Sequence, residues 1–384
     1  MRRQFLKPSI LYSLAFACIT MGLVSCTQAP ETKQFTIVDQ PKETVEATPV
    51  LPKSKRLAIL TPKSASDPYL KARGVEIEQA ARLITEMLGP EKIQVQTFDT
   101  LGTLEGTKTA ITSALQSGYS LAVGPLLSEN SAVVAEHVSA LNIPVISLTS
   151  DTSIGDKGVY VFGRTIENDV EVLLRHLSAN SRKNVAILAP DNSYGRRAAN
   201  SLSELRTRYG INIKHQVFFS GNSDQVLVQM QRFAESLPRG SFGPEPDFDV
   251  VLLPGSIFTM QTVLPGLLYA EFPLTEIQLA GLGIWASPEA LTDQLMQGGI
   301  FPDTLPISRD AFKNIYQEKY GNEPTRIADL AFDAVAVLAH AANEANNVDI
   351  HQMLQRRDGF KGVTGTFRFN QTRVVERDLS IRQI

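Results

Sequence analysis

The chain of 384 residues holds two cysteines, one tryptophan and five histidines. Both cysteines, Cys18 and Cys26, lie near the N-terminus. The rest of the chain therefore has no disulfide, no cysteine-based metal site and no thiol nucleophile. The histidines at 137, 176, 215, 340 and 351 are scattered, with none in H-E-x-x-H and no pair on one helix at ligand spacing. No G-x-S-x-G elbow occurs. No serine is followed three residues later by lysine, so a penicillin-recognising serine enzyme has no support. The tract from Gly102 to Lys108 has glycines, but the spacing of a phosphate loop fails. Gly281-Leu-Gly283 lacks the third glycine and the early position of a dinucleotide site. Charge is balanced, with 37 basic and 40 acidic residues and a net charge of −3, which gives no reason to expect a nucleic-acid partner. No motif argues for an enzyme, a cofactor or a metal.

The first residues look like an address, not part of the fold. Arg2, Arg3 and Lys7 form a positive start, and Ile10–Val24 is an apolar run of 15 residues. That run is short of the ~20 residues that span a bilayer. It ends in Leu23-Val24-Ser25-Cys26, so residues 1–25 read as an export signal. The ending resembles the bacterial lipobox, which implies cleavage before Cys26, lipid on its thiol and a membrane anchor. Thr27 follows, and in a Gram-negative cell the resemblance then favours the outer membrane. Residues 26–55 are rich in Pro, Thr, Glu, Gln and Lys and read as a tether.

From Arg56 the pattern alternates. Strand-like runs at Leu57–Leu60, Ile93–Phe98, Tyr119–Val123 and Pro144–Leu148 are separated by helical runs at Pro68–Leu88, Glu105–Ser117 and Ser128–Leu141. A second series runs from Asn184 to Ala280, after Thr149–Thr165, which has no helical periodicity. Apolar runs of four to six residues suit strands buried on both faces, and their alternation with helices predicts an α/β fold of two parallel-sheet lobes. Helices are expected at Ser308–Tyr320 and Arg326–Asn346, and strands at Val363–Arg368 and Val374–Arg382. Asp329, Asp333 and His340 lie on or beside an apolar helical stretch, where capping and local hydrogen bonding would account for them. The loop Leu237–Phe248 reads as a partner contact or a tolerated insertion.

Several tracts, taken in order, resemble the type I periplasmic binding proteins of the leucine/isoleucine/valine-binding class. They are Leu121-Ala-Val-Gly-Pro-Leu-Leu-Ser-Glu-Asn-Ser-Ala-Val-Val-Ala, Asn142-Ile-Pro-Val-Ile-Ser147, Val185-Ala-Ile-Leu-Ala-Pro-Asp-Asn-Ser-Tyr-Gly195, Phe312-x-x-x-Tyr316-x-x-x-Tyr320-Gly321, Ala331-Phe-Asp-Ala334 and Phe360-x-Gly-Val-Thr-Gly-Thr-Phe-Arg-Phe369. The resemblance implies two Rossmann-like lobes joined by three hinge strands. Lobe 1 would be 56–164 plus 286–346, and lobe 2 would be 165–285 plus 347–384. The hinges would fall near Phe162–Thr165, Gly283–Ala286 and Asn347–Phe360.

The same resemblance implies a ligand site at Ser128, Glu129, Asn130, Thr149, Ser150, Asp151, Tyr194 and Trp285. Ser128 matches a ligand-binding serine, and an N-cap role is also open to it; the two are compatible if its backbone N–H does the binding. Trp285 is read either as a stacking surface or as a hinge plug. Two positions depart from the amino-acid-binding pattern. Asp151 stands near the place of a ligand carboxylate, and no acid follows Gly283 before Glu289. The expected function is capture of a small polar solute, as in uptake through an ABC permease. The alternative is an outer-membrane lipoprotein that activates a penicillin-binding protein, a peptidoglycan synthase, since some lipoproteins of this fold do so.

Overall fold

The computed structural model describes residues 55–241, 243–304, 307–345 and 349–384. The expected signal segment, Cys26, nearly all of the tether, Phe242 and the start of the third expected hinge lie outside the described residues.

The first sheet is built by a repeating strand–helix unit. β1 (Arg56–Thr61) leads to α1 (Pro68–Leu88), β2 (Gln94–Asp99) to α2 (Leu104–Gln116), and β3 (Leu121–Val123) to α3 (Ser128–Val138); β4 (Val145–Ser147) and β5 (Tyr160–Val161) complete it. The strands are parallel in the order β2-β1-β3-β4-β5. Leu57 and Ile59 point into one core with Ile77, Ala80 and Ile84 of α1, while Ala58 and Leu60 point into the other with Ala110 and Ile111 of α2. This two-residue alternation between covered faces explains why the strand reads as an unbroken apolar run. Pro68 opens α1 and the Asp67 side chain accepts from the Leu70 N–H at 2.7 Å, closing an otherwise unpaired helix start.

The second sheet repeats the scheme. α4 (Ile166–Ala179), β6 (Asn184–Pro190), α5 (Ser193–Tyr209), β7 (Asn212–Phe219) and α6 (Ser223–Glu235) are followed by the small ribbon of β8 (Arg239–Gly240) and β9 (Gly243–Pro244). Then come β10 (Val250–Leu252), α7 (Ile257–Tyr269), β11 (Gln278–Ala280), α8 (Pro288–Thr292) and β12 (Ile300–Asp303). The chain returns to the first core through α9 (Ile307–Tyr320), α10 (Arg326–Glu344) and α11 (Ile350–Leu354). An antiparallel sheet of β13 (Phe360–Gly362), β14 (Gly365–Phe369) and β15 (Val375–Arg377) lies on that core, before β16 (Ser380–Gln383) joins the second sheet. The second sheet runs β16-β12-β11-β10-β6-β7, with only β16 antiparallel.

The chain thus passes between lobes after β5, after β12 and between β15 and β16. This corrects the expected division in two places. Residues 286–303 belong with the second sheet, because β12 pairs with β11 and Ala290, Met296 and Phe301 join its core. Residues 350–377 pack largely on the first core through Leu354, Val363, Phe367, Phe369 and Val375. Helix α4 is absent from the expected elements, although Ile166, Val170, Leu173, Leu174 and Leu177 repeat at helical spacing and are all buried.

Asp333 is a further correction. Its carboxylate does not serve its own helix. It accepts from the Val363 N–H at 2.8 Å, the Thr364 N–H at 2.7 Å and the Thr364 hydroxyl at 2.6 Å, which ties the β13–β14 turn to α10.

Candidate functional site

In a parallel sheet all βα corners gather at the carboxyl edge of the strands, the usual place for ligand contact. At the first sheet this edge includes the corner between β3 and α3. Gly124 there has a φ of 92°, and a Cβ would stand 2.1 Å from the Leu60 carbonyl oxygen, so only glycine lets β3 pass β1 this closely. The corner is fastened to β4: Ser147 Oγ donates to the Pro125 carbonyl at 3.0 Å and shares a hydrogen bond with Ser131 Oγ at 2.6 Å.

Ser128 is the first residue of α3, and its side chain does not cap the helix. Its hydroxyl donates to the carboxylate of Asp151, in the segment after β4. Asp151 also caps the turn Thr152–Lys157, accepting from the Ser153 N–H at 3.0 Å and the Ser153 hydroxyl at 2.8 Å. The Asp151 N–H donates to Thr149 Oγ1 at 3.1 Å. Partial burial raises the Asp151 carboxyl, but the bonds from Ser128 and Ser153 and the positive charge of Arg197 outweigh it. The group is held below the ordinary aspartate value.

Arg197 belongs to α5 of the second lobe. Its Nη2 donates to the Ser150 carbonyl at 3.0 Å, and Nε and Nη2 hold Glu167 of α4 at 2.9–3.2 Å. One guanidinium therefore spans the two lobes beside Asp151. Tyr194, three residues before it, packs against the α4–α5 core. Burial, with the negative charge of Asp169 added, pushes its phenol well above the usual tyrosine range. The same edge of the second sheet opens into a hollow of about 390 Å³ lined by Asp191, Asn192, Ser220, Ser223 and Phe258.

Behind this site lies a charged cluster at the lobe crossings. Arg164, just after β5, holds Asp169 through Nε at 2.9 Å and Asp303, at the end of β12, through Nη1 at 3.2 Å. Asp303 also takes Arg382 of β16 at 2.8 Å and Arg326 of α10 at 3.4 Å. Burial raises Asp303, yet Arg326, Arg164 and Arg382 together hold it low; burial raises Asp169, and there it prevails over Arg164. Arg377 donates to the Phe162 and Gly163 carbonyls at 2.6 and 3.0 Å and lies over the Phe162 ring. One ionic hub thus touches every passage between the lobes.

Of the expected site residues, the structure brings together Ser128, Thr149, Ser150 and Asp151. Glu129 is exposed in the first turn of α3. Asn130 turns away from the site: its amide donates to Thr107 Oγ1 at 2.6 Å and to the Thr103 carbonyl at 3.2 Å. Trp285 is fully buried in the second core and donates from Nε1 to the Gly255 carbonyl at 3.2 Å, so of its two expected roles the packing one holds and the stacking one does not, and it packs within the second core and not between the lobes. Arg197, Glu167, Arg164 and Asp303 were not anticipated. The helical spacing of α4 is the one signal that points to Glu167 and Asp169 as first-turn residues beside Thr165. Among the described residues no group of three or more His, Cys, Asp and Glu is placed to hold a metal ion, and no helix is long and apolar enough to cross a membrane.

Residues 56–384 match the model of the family described as periplasmic binding protein. No curated protein matches the chain. Solved structures share the fold at low identity. A putative branched-chain amino acid ABC transporter protein from Rhodospirillum rubrum has a TM-score of 0.72 at 16% identity, covering 86% of this chain and 97% of that one. The substrate-binding protein LivJ from Streptococcus pneumoniae, in complex with isoleucine, has a TM-score of 0.59 at 20% identity, covering 86% and 95%. The LpoA C-domain from Haemophilus influenzae, a regulator of PBP1A, has a TM-score of 0.64 at 19% identity, covering 85% and 96%.

Proposed function

The chain belongs to the periplasmic binding protein family, and from that premise we propose that it is a non-enzymatic recognition protein of the cell envelope. Its interlobe cleft takes a small polar solute that is not a free α-amino acid. The observation that carries this reading is the bond from Ser128 to Asp151. The serine that a ligand carboxylate would use already serves the protein's own carboxylate. A second carboxylate about 4 Å away would cost roughly 4 kcal/mol at an effective dielectric near 20. A solute bearing hydroxyls or a positive charge meets no such penalty. Ser128, Thr149, Ser150, Asp151 and Tyr194 are the residues that would contact it, and an ABC permease would receive it. The expected lipid at Cys26 would tether the protein to a membrane.

A second reading is regulation of a penicillin-binding protein in peptidoglycan synthesis. It is supported by exposed apolar side chains at the corners of the first sheet: Tyr69 at 71% exposure, Leu101 and Leu104 at 48%, and Leu127 at 37%. Clustering large apolar groups at one edge suits a protein partner better than a solute. The neighbour described as a regulator of PBP1A fits the same reading.

A thermal-shift screen with amino acids, polyamines, sugars and peptidoglycan fragments separates the two. A solute at 100 times its dissociation constant stabilises by about 2.7 kcal/mol. If nothing stabilises the protein and a wall synthase is captured by it, the transport reading fails.

A further inference from the structure

In a two-lobed binding protein, closure needs something to bridge the lobes. Here a bridge is present within the protein itself. Arg197 stands on α5 of the second lobe, and its Nη2 donates to the Ser150 carbonyl of the first at 3.0 Å. Both sides of this bond are fixed in advance. Glu167 of α4 holds Nε and Nη2 of Arg197 at 2.9–3.2 Å, which aims the guanidinium. Ser150 lies between two anchored neighbours: the Thr149 carbonyl accepts from the Gly163 N–H at 2.8 Å, and Asp151 is bound to Ser128 and Ser153. The backbone carbonyl that receives Arg197 is therefore presented in one orientation. The negative charge of Asp151, next along the chain, adds attraction for the guanidinium.

We propose that Arg197 is an internal latch that holds the cleft closed with no solute present. A bond made by the protein's own cation competes with any solute that would bridge the same lobes, so the free molecule rests in the closed form and opening requires Arg197 to leave Ser150. Such a device shifts the balance of open and closed forms to the extent that opening breaks the bond to Ser150. The latch sets the resting shape of the molecule and acts whichever solute or partner the cleft serves.

The test is an interlobe distance measured by pulsed electron paramagnetic resonance on the full chain, with Cys18→Ser and Cys26→Ser and spin labels at Ser139→Cys and Ser203→Cys. Both label positions are exposed, one beside α3 and the other on α5. Without added solute, the parent gives one narrow distance. Arg197→Ala moves the distribution to longer distances and broadens it, and Glu167→Gln, which loosens the aim without removing the guanidinium, gives an intermediate shift. Circular dichroism verifies that each variant is folded; should Arg197→Ala fail to fold, Glu167→Gln carries the test alone. A broad parent distribution, or the same distribution in the parent and every folded variant, overturns the latch. Solute binding is scored separately by thermal shift, so failure of the latch and failure of the solute reading are distinguishable.

Discussion

The hydroxyl of Ser128, at the start of α3, donates to the carboxylate of Asp151, in the segment after β4, and so joins two corners of the first sheet. This bond satisfies both side chains within the protein. Replacing Asp151 by Thr frees the Ser128 hydroxyl and removes the charge. Leucine or isoleucine is expected to raise the melting temperature of Asp151→Thr and leave that of the parent unchanged. If neither protein responds, the carboxylate is not what excludes amino acids.

Trp285 is a core residue, and its substitution is a stability experiment. Trp285→Ala opens a cavity in the second core and is expected to cost about 3–5 kcal/mol, as large-to-small aromatic substitutions do. Trp285→Phe keeps most of the volume and is expected to cost less. Denaturant midpoints give both values. Thermal-shift responses to bound solute should survive Trp285→Phe, because the indole faces the core and not the cleft.

The ionic hub at the crossings is expected to behave as a unit. Arg164→Met leaves Asp169 buried beside only the Gly283 N–H, and breaking a buried pair costs about 3–5 kcal/mol. Adding Asp169→Asn to Arg164→Met should recover part of that loss. A double-mutant cycle in urea measures the coupling, and simple additivity would show that the two side chains act independently.

Asp333 supplies a pH dependence. Full burial outweighs its hydrogen bonds and pushes its carboxyl up to about 6. The folded state therefore holds a proton between about pH 4 and pH 6 that the unfolded chain has released. The stability this group contributes is fully present below the unfolded value and is lost as pH rises through 6. Relative to Asp333→Asn, the parent should lose roughly 2–3 kcal/mol between pH 4 and pH 7, because each tenfold difference in proton affinity between the two states is worth about 1.4 kcal/mol. Denaturation across that range checks the sign, and a parallel pair of curves would contradict it.

Much of the fold was legible because its strands lie between two layers of helices. Leu57–Leu60 is apolar throughout, since Leu57 and Ile59 enter one core and Ala58 and Leu60 the other. The corner between β3 and α3 was legible through Gly124-Pro125 and the serine that starts the helix. The return of the chain was not. Residues 300–303 and 360–377 are short runs whose lobe is set by pairing partners far along the sequence, and nothing local records those partners. The hub of Arg164, Asp169 and Asp303 was hidden for the same reason: the last partner lies 139 positions from the first. Arg197 reads locally as an ordinary helix residue, because the carbonyl it meets belongs to the other lobe.

The most direct test of the central claim is calorimetric titration of the unmodified protein with leucine, isoleucine, valine, polyamines and sugars. The expected result is no binding of the free amino acids and saturable binding of at least one cationic or polyhydroxylic solute. Saturable binding of leucine by the unmodified protein, abolished by Ser128→Ala, would contradict it.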